Sequence, residues 1–187
     1  MKRKDFIEKS LTCGLGAGAL MLVGGNNLKA ANQDESQECI RYQKFTKGWV
    51  KRFVDIVDKK MEKGDGEFLL DQCGRSCFKS NLNPNKPLQK MEVADLVKHL
   101  KATWSNEAAE MDGDIIRIKF IVKDQPNKCL CPLVDGFANE ISGVYCNCST
   151  GYLKQMFEAY TNKKVNVEIG ETIIRGDKVC SFKVSVV

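Results

Sequence analysis

The sequence predicts an α+β domain, with N-terminal helices packed on an antiparallel sheet of about four strands and a helix crossing between strand pairs. Three observations predict it. Apolar residues recur at three- and four-residue steps in the first half, the period changes to two in the second half, and the gaps between strands are short. Hairpin-sized gaps favour antiparallel pairing, because parallel neighbours need a longer crossover. Helices followed by strands is the order of an α+β fold.

The elements follow in order. From Glu38 to Lys63 the residues Ile40, Phe45, Trp49, Phe53, Ile56 and Val57 mark an amphipathic helix, with Gly64 and Gly66 as its expected stop. A second helix is expected from about Glu67 through Lys79, then a loop over Asn81–Pro87. A third is expected over Leu88–Trp104, with Met91, Leu96, Val97 and Leu100 on one side. In Asp114–Lys123, Ile116, Ile118, Phe120 and Val122 alternate with outward residues, the mark of a half-buried strand. Cys129 and Cys131 are expected beside or on the next strand, and Gly143–Cys148 on a short strand leading into a helix over Ser149–Tyr160. Val165, Val167 and Ile169 alternate next, Arg175-Gly176-Asp177-Lys178 turns, and Cys180, Phe182, Val184 and Val186 face inward on a last strand. A one-residue slip would expose Phe120 or Phe182, so burial pins the register.

Residues 1–30 are set aside as an address. Met1–Lys9 is a positive start, an uncharged apolar and Gly-rich run follows, and Ala30 and Ala31 are small residues suited to cleavage. The segment Lys2-Arg3-Lys4-Asp5-Phe6-Ile7 is similar to a twin-arginine export motif, without a second adjacent arginine. Cys13 precedes the apolar run, which does not suit a lipid-modified cysteine. The expected mature chain, 31–187, is one cysteine-rich domain, helical over 38–104 and sheet-forming over 114–187. It is periplasmic or otherwise in the cell envelope, with no stable membrane span once the signal is removed.

Of 187 residues, 43% are hydrophobic and 28% charged, enough for an ordinary core. The formal charge is +5; residues 1–30 hold five basic and two acidic side chains, a net +3, which leaves +2 for the rest. No basic stripe interleaved with aromatics is present, so no nucleic-acid partner is expected.

Cysteines carry most of the chemical information. Without Cys13 there remain Cys39, Cys73, Cys77, Cys129, Cys131, Cys146, Cys148 and Cys180. Cys73 and Cys77, at i and i+4, share one face of a helix. Cys129/Cys131 and Cys146/Cys148 are i, i+2 pairs, which on neighbouring strands would converge on one face. Such convergence suits cross-strand disulfides, or a tetrahedral thiolate site for zinc. Cys129, Cys131, Cys146, Cys148 and Cys180 are the candidate metal ligands, and Cys73 and Cys77 a possible second pair. Reactive thiols are the third alternative: Cys146 and Cys148 stand just before Ser149-Thr150-Gly151, where a helix dipole would lower a thiol pKa.

Other chemistry is sparse. His99 is the single histidine, on the Leu88–Trp104 helix, and a Cys–His hydrolase would need it beside Cys148. No G-x-S-x-G, H-E-x-x-H or phosphate-cradling glycine loop is present. Glu168 and Glu171 flank the end of the penultimate strand, within conceivable reach of a metal at Cys180.

The C-terminal half carries a resemblance. Cys148-Ser149-Thr150-Gly151-Tyr152, Phe157-Glu158, Val165-Asn166-Val167-Glu168, Glu171-Thr172, Arg175-Gly176-Asp177 and Cys180-Ser181-Phe182 stand in order over roughly 114–187. This resembles the 4-vinyl reductase domain, a small-molecule-binding module related to a trafficking-particle fold. It is also similar to the C-terminal part of L-2-amino-thiazoline-4-carboxylic acid hydrolase-like proteins, and Cys73-Gly74-Arg75-Ser76-Cys77 looks like a motif of exported relatives in this group. The resemblance implies helices on a sheet of about four strands with a pocket between them, and zinc held by cysteines in some members. By position Cys148 (or Cys146) and Cys180 match that pattern, whereas Thr172 stands where a further cysteine is usual, and Cys129 or Cys131 would have to substitute. The expected function is an exported, non-catalytic protein binding a small molecule or a metal in a cysteine-lined site; the alternative is a thiol-dependent hydrolase of a small cyclic amino-acid derivative.

Overall fold

The computed structural model describes residues 32–187 apart from 86, 106, 121–127, 130 and 135, with the side chains of 32–38 and 132 also outside the description. The expected signal segment and Val122 therefore lie outside the described residues. Among the described residues four helices and four strands run in the order α1 (Asn32–Lys60), α2 (Lys63–Ser80), α3 (Val93–Thr103), β1 (Ala109–Asp112), β2 (Ile115–Phe120), α4 (Asn147–Thr161), β3 (Val165–Ile169) and β4 (Cys180–Val186). The chain divides into two compact units, Met1–Arg52 and Phe53–Val187, and the boundary falls within α1. In the first unit the described residues are helical, and Tyr42 and Val50 are buried. The second unit holds everything described below.

The α+β expectation holds. The strands form one antiparallel sheet in the order β1-β2-β4-β3, and α4 crosses between the β1–β2 pair and the β3–β4 pair. β1 and β2 make a hairpin through Gly113-Asp114, with Gly113 at φ +60°, a left-handed value that a two-residue turn takes readily at glycine. Ile116 faces Val184 and Ile118 faces Phe182 across β2 and β4, and all four are buried. On β3, Val167 and Ile169 oppose the same two β4 residues. Alternation thus sets the register as expected. Leu96, Val97 and Leu100 of α3 and Leu153, Met156 and Phe157 of α4 join these strand residues in one core, together with Phe78 of α2.

Four local expectations change. Gly64 and Gly66 do not merely end a helix; they sit in the first turn of α2, and a Cβ on Gly66 would press to 3.0 Å from Val57. The third helix starts at Val93 rather than Leu88, and Met91 instead donates its N–H to the Tyr160 carbonyl. β1, with only Ala109 buried, has no alternation to announce it. Cys129, Cys131, Cys146 and Cys148 are not on strands: a 3-10 turn covers Pro132–Val134, another covers Gly143–Cys146, and Cys148 lies in the first turn of α4. Their i, i+2 spacing imitates the strand period, but Asn147 carries the chain from a 3-10 turn into an α-helix. Its backbone N–H bonds back to the Val144 and Tyr145 carbonyls.

Candidate functional site

The site is built where α2 meets α4. Both helices present glycine at the contact. A Cβ on Gly74 would overlap the Cys148 carbonyl and come within 2.8 Å of the Tyr152 nitrogen. A Cβ on Gly151 would overlap the Asp71 carbonyl in the same way. Two backbones therefore touch directly, and the peptide of Cys148 is set against α2 next to Cys73 and three residues from Cys77.

Beside this contact lies a charge network. Asp71 is 8% exposed; it pairs with Lys154 at 2.6 Å and with the Arg75 Nε at 3.0 Å. Arg75 reaches on to Glu158 with Nη1 at 2.7 Å and Nη2 at 3.3 Å, and the Thr150 hydroxyl, which donates to the Asn147 carbonyl at 2.7 Å, lies 3.4 Å from Asp71. Glu158 above all, and then Asp71, raise the Arg75 pKa against the opposing effect of its burial. Sequence reasoning missed this network. Its signal was the spacing Asp71, Gly74, Arg75, Phe78, one face of a helix with a glycine at its centre.

Among the described residues Cys39 is disulfide-bonded, whereas Cys73, Cys77, Cys129, Cys131, Cys146, Cys148 and Cys180 are not. Two constellations emerge among the seven. Around Cys148, burial pushes the thiol up to about 12, and Cys131, Cys77, Cys73 and Cys146 add to the shift in that order. Cys131 Sγ stands 3.1 Å from the Tyr145 hydroxyl, and Cys77 is raised by burial and then by Cys131. Around Cys146 stand Cys129, Cys180, Thr172 and Arg175. Burial raises the Cys146 thiol, while Thr172 and Arg175 oppose the rise. Cys180 is likewise raised by burial, with Cys146 and Asp177 contributing. The Thr172 hydroxyl is fully buried beside the Cys146 thiol, and the Thr172 backbone N–H is held by Asp177 at 2.7 Å.

The expected cysteines lie near enough to influence one another, and Cys146 and Cys148 remain neighbours. Cys131 goes with Cys148 and Cys129 with Cys146, and Cys73 and Cys77 join the Cys148 group instead of standing apart. His99 is not among the groups acting on Cys148; it is exposed on α3, where its carbonyl accepts from Thr103. Glu168 pairs with Lys183 at 3.4 Å, and Glu171 is exposed. Among the described residues no three His, Cys, Asp or Glu side chains are already disposed as a metal-ligand set. The thiols are neighbours around Cys148, not a closed cage.

Such an environment keeps Cys148 protonated. With a pKa near 12 its thiolate fraction at pH 8 is about one in ten thousand, against about one in ten for a thiol at 9.0. In reduced, chelator-treated protein, alkylation of Cys148 at pH 8 is therefore expected to trail a free thiol by about a thousandfold, read by mass spectrometry of the labelled peptide. The sign for stability follows: the folded state holds this proton more tightly than the unfolded chain, so stability falls as pH rises from 9 towards 12.

Two solved structures share a distant likeness with the chain. A trafficking protein particle complex subunit 3 from Naegleria fowleri, covalently bound to palmitic acid, is 13% identical, with 79% of this chain and 96% of that chain covered and a TM-score of 0.46. A vinyl-4-reductase family protein from Methanocaldococcus jannaschii is 15% identical, with 88% and 99% covered and a TM-score of 0.30. No curated protein matches significantly. No helix among the described residues is long and apolar enough to cross a membrane. The profile of the family of unknown function DUF6144 matches residues 26–187, and the chain belongs to that family.

Proposed function

We propose that this chain is an exported, non-catalytic binding protein that takes a soft metal ion, zinc foremost, into the thiol group centred on Cys148. The observation that carries this reading is the convergence of thiols from three separate segments: Cys73 and Cys77 on α2, Cys131 in the linking loop and Cys148 in the first turn of α4. Four thiols with no hard carboxylate among them are the donor set that zinc prefers. As placed, the described thiols are not disposed as a complete ligand set. Cys73 and Cys77 are exposed and free to change rotamer, so uptake draws the set closed around the more buried Cys148. A cation also supplies the charge that makes a desolvated thiolate tolerable, which the neutral thiols lack.

Export is supported by the positive start and apolar run of residues 1–30. Catalysis is disfavoured by the protonated state of Cys148 and by the absence of His99 from its surroundings.

Elemental analysis of the full chain, purified without chelators, tests the metal. About one zinc per chain is expected, with four thiols becoming titratable on chelation. Cys148→Ser and Cys131→Ser are each expected to lose most of the metal while keeping the far-ultraviolet circular dichroism. Metal-free protein with all its thiols titratable, or with Cys77, Cys131 and Cys148 in disulfides, would overturn the reading.

A further inference from the structure

An open groove of ≈ 720 Å³ lies along α2, the start of α4 and β3, and no cysteine lines it. β3 is an edge strand. Along it the even-numbered residues bond to β4: the Gly170 N–H donates to the Ser181 carbonyl, and the Lys164 carbonyl accepts from Val187. By the alternation of an antiparallel ladder, Val167 and Ile169 turn their N–H and C=O groups to the other side. Both residues line the groove. Two such outward backbone sites, about 7 Å apart along a strand, match another extended backbone better than they match a compact molecule. The sequence Val-Asn-Val-Glu-Ile holds no proline or lysine, two of the residues that commonly guard an open edge.

The facing wall has the side chains to receive such a strand. Phe68 on α2 is 65% exposed at the groove and offers an aromatic surface. The groove's charges are unequally committed. Asp71 is held by Lys154 and Arg75, Glu168 by Lys183, and Glu67 stands on the α2 wall beside Phe68. Arg175, exposed at the groove, has no carboxylate at ion-pair distance among the described residues. An arginine left open beside an unpaired strand edge calls for a carboxylate on whatever pairs with that edge.

We propose that this groove docks an extended acidic peptide segment of a partner protein, which adds a strand to β3, packs on Phe68 and places a carboxylate on Arg175. Strand addition takes its affinity from main-chain hydrogen bonds and its selectivity from the flanking side-chain contacts.

The test uses ¹⁵N-labelled full chain titrated with a pool of hexapeptides of mixed Thr, Val, Ile and Tyr ending in Asp. A second pool ends in Lys. With the acidic pool the amide signals of Val167 and Ile169 are expected to shift and saturate, and the Lys-ended pool is expected to bind about tenfold more weakly. Arg175→Gln is expected to erase that difference, and Phe68→Ala to weaken both pools. Unmoved Val167 and Ile169 signals at millimolar acidic peptide would overturn the proposal. So would an Arg175→Gln protein that still prefers the acidic pool, or sodium acetate alone producing the same shifts, which would mark the groove as a site for small carboxylates. Neither Arg175 nor β3 belongs to the Cys148 group, so failure here leaves the metal reading standing, and the reverse holds too.

Discussion

Gly151→Ala is expected to destabilise the protein by about 3 kcal/mol or more, against the ordinary sign of this substitution. Glycine in a helix interior is worse than alanine by about 1 kcal/mol, so where space is available the change stabilises. Here a methyl group would overlap the backbone carbonyl of Asp71, and backbone cannot rotate aside as a side chain does. Gly74→Ala meets the Cys148 carbonyl and the Tyr152 nitrogen, and the same outcome is expected. Gly64→Ala is the control, because nothing lies within 4 Å of its Cβ position and only the propensity gain should register. Urea unfolding of the three variants gives the comparison. A Gly151→Ala protein as stable as the parent would mean that α2 and α4 do not meet as closely as described.

Asp71→Ala is expected to cost about 3 kcal/mol, at the low end for breaking a buried ion pair because its cationic partners are partly wet. The substitution leaves Lys154 without its 2.6 Å partner and Arg75 with Glu158 alone. A double-mutant cycle with Lys154→Met isolates the pair. A coupling of about 1 kcal/mol is expected, and a value near zero would reduce the network to a solvated surface feature. Because Asp71 and Gly151 share the helix contact, their effects should not add.

Legibility differed by element for physical reasons. β2, β3 and β4 were visible because each buries alternate residues, Ile116 and Ile118 or Phe182 and Val184, and period two survives in the sequence. α3 and α4 showed their apolar faces. β1 was hidden because it is short and buries only Ala109. The Cys146–Cys148 segment was misjudged because a spacing of two is ambiguous: it suits a strand, but it also occurs where a 3-10 turn runs into a helix.

The candidate site was legible as a composition more than as a place. The pairing of cysteines in sequence was visible, but the strand geometry expected to bring them together is absent. That Cys73 and Cys77 belong with Cys148 follows from a backbone contact between Gly74 and Cys148, a long-range event with no local periodicity. The groove was less visible still, since Phe68, Lys154, Val167 and Arg175 come from four segments and acquire meaning only from the open side of β3.

The strand order has a consequence for how the molecule is made. β2 and β3 are not paired with each other; each pairs with β4, the last of the described strands in chain order. Until residue 186 has emerged, the hairpin of β1 and β2 and the segment after α4 have no shared partner, and Ile116, Ile118 and Val167 lack the strand that aligns them. Sheet assembly therefore waits for β4, and it is built on contacts far apart in sequence and slow to find. While it waits, the chain presents two incomplete β-surfaces to whatever chaperone attends it.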